Sequence, residues 1–253
     1  MITQRRLPEF GGLWWPPQCE ACNEALAEEE REREARRARM REMERANLAH
    51  QRLMASGLPA PYLNGRRGPL DLDAGPDTDG YRAARMAFAR LITGQLRDER
   101  SLPIPWIYLH GPNGTHKSTL LCCTVLELIH LGKRAKYLLW PEALDELRAL
   151  HRDDAAETVS EYVKRLVEVP HLAVDEIGLG TPTPFAAEKL FIVLERRYQE
   201  DSAADAGDRS TMFTSNRSLA ELVQTFAHLD DGLAARRLAR RIGDMASEIH
   251  VAG

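Results

Sequence analysis

Residues 104–131, IPWIYLHGPNGTHKSTLLCCTVLELIHL, restrict the fold more than any other stretch of the chain. An apolar, β-prone run leads into a glycine-containing loop, and the loop opens an apolar helix. Strand, loop and helix in that order build a phosphate-binding loop. The backbone N–H groups of such a loop point at phosphate oxygens, and the helix N-terminus adds a favourable dipole. Set against the pattern GxxxxGK[ST], Gly111, Lys117 and Ser118 fit, with Pro112, Asn113, Gly114 and Thr115 between them and Thr119 following. His116 stands where glycine is usual. A glycine there allows close backbone approach and angles that are costly for other residues. The motif predicts ATP as ligand, with Lys117 on the β and γ phosphates and the Ser118 hydroxyl on Mg²⁺. Lysine is scarce, occurring only at 117, 133, 136, 164 and 189, so Lys117 is hard to ascribe to composition. His116 leaves three readings open: a tolerated substitution, weakened binding or turnover, or a vestigial loop.

Downstream of about Gly80, short apolar strands alternate with amphipathic helices. The pattern predicts strands over 104–110, 135–140, 171–177, 211–215 and 248–252, and helices over 81–96, 117–131, 141–151, 158–167, 184–200, 219–226 and 232–246. Such alternation implies an α/β fold with a parallel sheet covered on both faces. The strand HLAVDEIG ends in Asp175 and Glu176. An acidic strand end placed after a phosphate loop suits a carboxylate that holds Mg²⁺ (Asp175) and one that polarises attacking water (Glu176). The strand TMFTSN then brings Ser215 and Asn216 to the same sheet edge, where an amide can position water against the γ-phosphate. Either residue could instead cap the helix that follows.

The N-terminal part differs. Residues 1–22 are rich in Pro, Gly and Trp, with Trp14 and Trp15 suited to docking. Residues 23–56 contain no Gly or Pro and read as a long Glu/Arg helix, either solvated or partner-docking. The expected organisation is an arm over 1–56, a Pro/Gly-rich linker over 57–79 and an ATPase domain over 80–253. A net charge of −4 gives no global attraction to nucleic acid, so DNA contact requires a local patch. No apolar run approaches the ~18 residues that span a bilayer, and the N-terminus lacks the apolar segment of a signal peptide. The four cysteines form no disulfide framework, and a reducing cytoplasm is expected. Cys19 and Cys22 supply half of a possible zinc site, with His50 the nearest further candidate ligand.

Taken together, GPNGTHKST, GKRAKYLLWPEALDEL, HLAVDEIGLGTPTPFAAEKLFIVLERRY and TMFTSN resemble the DnaC/IstB-like helicase loaders and transposition helper ATPases of the AAA+ superfamily. The likeness runs from about Leu58 to Gly253. It implies a five-stranded parallel sheet flanked by helices, with a charged N-terminal arm and no C-terminal lid. Asn216 matches the family's sensor, and ARRLARRIGDM resembles its arginine-finger helix. Arg237 is then the first finger candidate and Arg241 the second, with Arg236 and Arg240 as register alternatives. The family's Ser-x-Arg element beyond the last strand is not found in a sequence that stops at EIHVAG. The loop GLGTPTPF would face a central channel, where Thr183 would bond a phosphate and Phe185 stack a base, unless Phe185 packs under its own helix. Arg152, Lys164 and Arg165 form a weaker basic region. The partners implied are a hexameric replicative helicase, single-stranded DNA and further copies of the chain in a helical or ring oligomer. Three functions follow: a helicase loader, an IstB-like transposition helper, and a nucleotide-binding scaffold that does not hydrolyse ATP.

Overall fold

Five apolar segments assemble into one parallel sheet. The computed structural model describes residues 20–65, 76, 78–94, 106–150, 157–180, 183–201, 209–226 and 233–252. Its strands are β1 (Trp106–His110), β2 (Ala135–Leu139), β3 (His171–Asp175), β4 (Ser210–Ser215) and β5 (Ala246–His250), in the spatial order β2-β3-β4-β1-β5. Every pairing is parallel, with His110 opposite both Ser215 and His250, and Leu139 opposite Asp175. β3 and β4 are buried along their whole length, and the hydroxyls of Ser210, Thr211, Thr214 and Ser215 in β4 are held by hydrogen bonds within the fold. After β1 the chain crosses to the far edge, returns through β3 and β4, and adds β5 on the other side of β1. The carboxyl ends of β1, β3 and β4 therefore lie together where the strand order switches, the usual place for a ligand in such sheets.

Helices cover both faces. Residues alternate across β1, so Trp106 and Tyr108 enter one core while Ile107 and Leu109 enter the other. The first core is closed by α5 (Trp140–Ala149), α6 (Val159–Glu168), α7 (Pro184–Asp201) and α9 (Leu233–Met245). The second is closed by α3 (Asp79–Ile92) and α4 (Lys117–His130). Most of α4 is buried, as the largely apolar run from Leu120 to Ile129 requires. α8 (Leu219–Thr225) begins at a capping box formed by Ser218 and Glu221, so Ser218 caps this helix, and neither Ser215 nor Asn216 does. α6 begins with the same device, Thr158 and Glu161.

At the opposite end of the sheet, Arg197 is fully buried. Its guanidinium donates to the carbonyls of Leu166, Val167, Val169, Pro170 and Ser210 and to the Thr211 hydroxyl. Asp201, equally buried, accepts from Trp106 at 2.8 Å and Arg209 at 2.7 Å. A buried charge of this kind is tolerated because nearly all its donors are satisfied.

The chain divides into two compact units, Met1–Leu48 and Ala49–Gly253. The helix α1 (Glu20–Ala55) passes through the division. In the first unit its described side chains are almost all exposed, and Arg33 pairs with Glu29 at 2.5 Å one turn away. In the second unit the stretch expected as linker contributes Leu58 and Tyr62 to the core, and 60–63 form a short helix, α2 (Ala60–Leu63). No helix among the described residues is long and apolar enough to cross a membrane.

Candidate functional site

β1 delivers the chain to Gly111, where φ is +149° and an added Cβ would lie 2.1 Å from the Val251 carbonyl oxygen. Only glycine passes here. The loop turns through Asn113 and Gly114, and α4 starts at Lys117. His116, the helix-preceding residue, holds φ 62° and ψ 18°, a left-handed conformation. The position therefore demands the geometry that glycine usually supplies. Histidine is among the residues enriched in that region, at a cost of about 1–2 kcal/mol. The loop holds histidine in this conformation, and the His116 side chain is exposed.

Lys117 is buried, and its ammonium donates to the carbonyls of Gly111 (2.9 Å) and Pro112 (2.7 Å) and to the Thr115 hydroxyl (3.2 Å). Burial pulls its pKa down, and the charges of Asp175 and Glu176 oppose that shift. Thr115 in turn donates to the Pro112 carbonyl at 3.0 Å. Pro112, Asn113 and Gly114 are exposed, Ser118 and Thr119 half-buried, and a Cβ on Gly114 would meet nothing within 4 Å. The loop thus presents an open outer face beside a buried cation.

Asp175, 2% exposed at the end of β3, collects four donors. Its Oδ1 accepts from the Ser118 hydroxyl at 3.0 Å, from the Glu176 N–H at 3.1 Å and from the Thr214 hydroxyl. Its Oδ2 accepts from the Tyr137 hydroxyl at 2.7 Å. Burial, and then the charge of Asp175, push the Tyr137 hydroxyl upward, so it remains a donor. Glu176 turns into the left-handed region, φ 57°, while its N–H also donates to Thr214 at 3.0 Å. Burial, and then Asp175, raise its pKa above the usual carboxylate value. Strain at a non-glycine residue is characteristic of functional positions.

This donor set fits a nucleoside triphosphate with a divalent cation. An ammonium, a hydroxyl and a buried carboxylate converge at the start of a helix whose first N–H groups lack intrahelical partners. Among the described residues no cluster of three or more His, Cys, Asp or Glu side chains would hold a metal by itself. A Mg²⁺ held by Ser118 and Asp175 would draw its other oxygens from phosphate and water.

The remaining predicted residues are spread more widely. Asn216 is exposed directly after β4, whose Ser215 carbonyl accepts the Gly111 N–H at 3.3 Å. Ser215 itself is tied inward, its hydroxyl donating to the Ile177 carbonyl at 2.8 Å. Arg237 is exposed and makes no hydrogen bond or ion pair among the described residues, beside a cleft of about 920 Å³ between α7 and α9. Arg241, on the same helix, is engaged within the chain: it forms a two-pronged contact with Glu195 (3.0 and 3.2 Å) and lies 4.3 Å from the Tyr198 ring centre. Arg236 is exposed, and Arg240 lies 3.8 Å from Asp244. Thr183 is exposed and its carbonyl accepts the Ala187 N–H, starting α7. Phe185 is half-buried with the Lys189 ammonium 5.3 Å from its ring centre. Arg165 pairs with Glu157 and Lys164 with Glu168, so both basic groups are neutralised locally. Cys19, Arg152 and the side chain of Cys22 lie outside the described residues.

Two members of the site were missing from the sequence reading. Thr214 was visible in TMFTSN, one residue before the pair singled out there. Tyr137 carried a fainter sign, the one hydroxyl in the strand AKYLL.

A family model described as IstB-like ATP binding protein matches residues 105–253. The structure is also similar to that of the DnaI, with a TM-score of 0.61 and 23% identity over 78% of this chain and 95% of that one. It is similar to the DnaC helicase loader, with a TM-score of 0.57 and 16% identity over 76% and 99% of the two chains. A replication initiator DnaA bound to AMPPCP and single-stranded DNA gives a TM-score of 0.54 and 18% identity over 76% and 50%. At these identities the likeness to solved structures is one of fold. No match was found among curated proteins.

Proposed function

The chain belongs to the family of IstB-like ATP-binding proteins, and from this we propose that it is an ATP-dependent helicase loader acting in DNA replication. The observation that carries the reading is the convergence of Lys117, Ser118, Asp175 and Glu176 at one end of a parallel sheet. ATP hydrolysis needs each of these groups. Lys117 exchanges its loop carbonyls for phosphate oxygens. Ser118 and Asp175 would hold Mg²⁺, which would supply positive charge against the phosphates. Glu176, with its pKa raised, takes a proton from the attacking water, and Asn216 orients that water. Arg237 reaches the site of a neighbouring copy, which fits its exposure and its lack of a hydrogen bond or ion pair among the described residues, with Arg241 as the second candidate.

The same reading assigns the arm over 1–56 to a hexameric helicase and 80–253 to ATP chemistry, with 57–79 between them. The likeness to a helicase loader and to an initiator bound to single-stranded DNA supports those partners. Thr183 and Phe185 at the start of α7 are the proposed single-strand contacts, and Cys19 with Cys22 a proposed zinc half-site. A cytoplasmic location fits these partners.

Steady-state ATP hydrolysis, with and without single-stranded DNA and helicase, tests the reading. Turnover that DNA or helicase raises, and that Glu176→Gln abolishes, is expected. A rate that neither addition raises overturns the loader reading, and the absence of any rate that Glu176→Gln abolishes favours a scaffold that binds nucleotide without hydrolysing it, the reading that His116 favours. The IstB-like family match favours a second reading, a transposition helper. Binding to duplex DNA in preference to single strands would select that alternative.

A further inference from the structure

Tyr137 lies in the middle of β2, an edge strand, and its main chain and side chain face different parts of the molecule. Its N–H donates to the Ser56 carbonyl at 2.7 Å, immediately after the end of α1. Gly57 holds φ +77°, and a Cβ on it would lie 2.6 Å from the Tyr137 carbonyl oxygen. Lys136 donates from its ammonium to the Ala55 carbonyl at 3.2 Å, and Arg52 donates to the Gly132 carbonyl. The last turn of α1 is thus fastened along β2 and the turn that precedes it. On the other side, the Tyr137 hydroxyl meets Oδ2 of Asp175 at 2.7 Å. Ser118, Thr214 and the Glu176 N–H all address Oδ1, so among the described residues Tyr137 alone donates to Oδ2.

We propose that Tyr137 is a positioning residue that fixes the rotation of the Asp175 carboxylate and transmits the seating of the α1 terminus to it. The proposal rests on the reading of Asp175 as a Mg²⁺-binding group. A carboxylate turns easily about its terminal torsion, because that torsion has broad wells. Donors to both oxygens remove that freedom and leave one oxygen aimed at Ser118. Hydrogen-bonded partners behind a metal ligand are commonly worth 10–100-fold in metal affinity. Because the ring is anchored through β2, any force that draws α1 away from Gly57 moves the hydroxyl relative to Asp175. A partner engaging α1 would thereby alter how the nucleotide site holds its cation.

Affinity for a fluorescent, non-hydrolysable ATP analogue, measured in Mg²⁺ and again in EDTA, tests this in the full chain. The quantity read is the tightening that Mg²⁺ produces. Tyr137→Phe should reduce that tightening about tenfold while affinity in EDTA stays within about twofold. Gly57→Ala, which leaves the ring and its hydroxyl intact, should reduce it in the same direction, and the double variant no further than Tyr137→Phe alone. Equal losses in Mg²⁺ and EDTA, or an unchanged tightening in Tyr137→Phe, overturn the positioning role and leave the proposed function standing. An effect in Tyr137→Phe with none in Gly57→Ala overturns the link to α1. Absence of analogue binding by the unaltered chain overturns the proposed function and this inference with it.

Discussion

The Ser118 hydroxyl donates to Asp175 at 3.0 Å, joining the first turn of α4 to the carboxyl end of β3. Two segments 57 residues apart in the chain meet in that contact. It fixes where the phosphate loop and the acidic pair stand relative to each other, and the predictions about nucleotide follow from it.

Lys117→Ala removes a buried ammonium that three loop oxygens hold in place. Hydrogen bonds to charged groups are worth about 1.5–3 kcal/mol each, so ATP affinity should fall by at least about tenfold. Calorimetric titration with ATP reads this directly. Undiminished affinity would remove Lys117 from the site.

Arg237→Ala should bind ATP normally yet lose turnover by about a thousandfold, the scale typical of an arginine supplied between subunits. Mixing it with Glu176→Gln gives a decisive readout. Each protein is inactive alone, but an intact site in one can receive Arg237 from the other. A mixture that regains ATPase activity places Arg237 in the neighbour's site; one that stays inactive argues against it.

Arg197→Leu should destabilise the fold by about 3–5 kcal/mol, the usual cost of breaking a buried ionic network by removing one partner. Five carbonyls and the buried Asp201 would lose a donor or a compensating charge. Urea unfolding measures the loss. Nucleotide affinity under native conditions should be retained, since Arg197 sits at the sheet's other end.

His110 lies immediately before Gly111, its ring stacked on His250 at 5.0 Å and its Nε2 3.4 Å from Glu248. Burial lowers its pKa from 6.5; Glu248 and Glu221 oppose this, while His250 and Lys117 add to it. The unfolded chain therefore binds more protons than the folded one just below pH 6.5. The stability His110 contributes is present above that pH and is lost as pH falls towards the folded value. Thermal melting from pH 8 to 5 should show a steeper acid decline in the unaltered chain than in His110→Gln. Parallel curves would show that His110 does not report on folding.

Much of this architecture was readable from residue pattern, because short β-prone runs alternate with amphipathic helices and the apolar stretches of β1 and β3 are buried on both faces. β5 was less legible. It was expected at 248–252 and lies at 246–250, because α9 passes into it at Met245 with no turn residue between. Leu58 and Tyr62 sit among prolines and glycines that signal a linker, and only packing against α3 and α4 draws them into the core. Ser218 and Glu221 stand at capping-box spacing, although Ser215 and Asn216 lie at the strand end. Local rules do reach α8, then, when the spacing is counted. Tyr137 lay beyond them, since its meeting with Asp175 spans 38 residues and depends on the register of β2 against β3.

The fastening of Ser56 to β2 has one more result. β2 borders the sheet, and a bordering strand offers unpaired main-chain groups on which another molecule's strand can build. The Ser56 carbonyl occupies one of those groups, the Tyr137 N–H, and Gly57 presses against the carbonyl of the same residue. A fragment trimmed to begin at residue 80 would uncover that border, inviting edge-to-edge stacking and precipitation even with its ATP-binding residues intact.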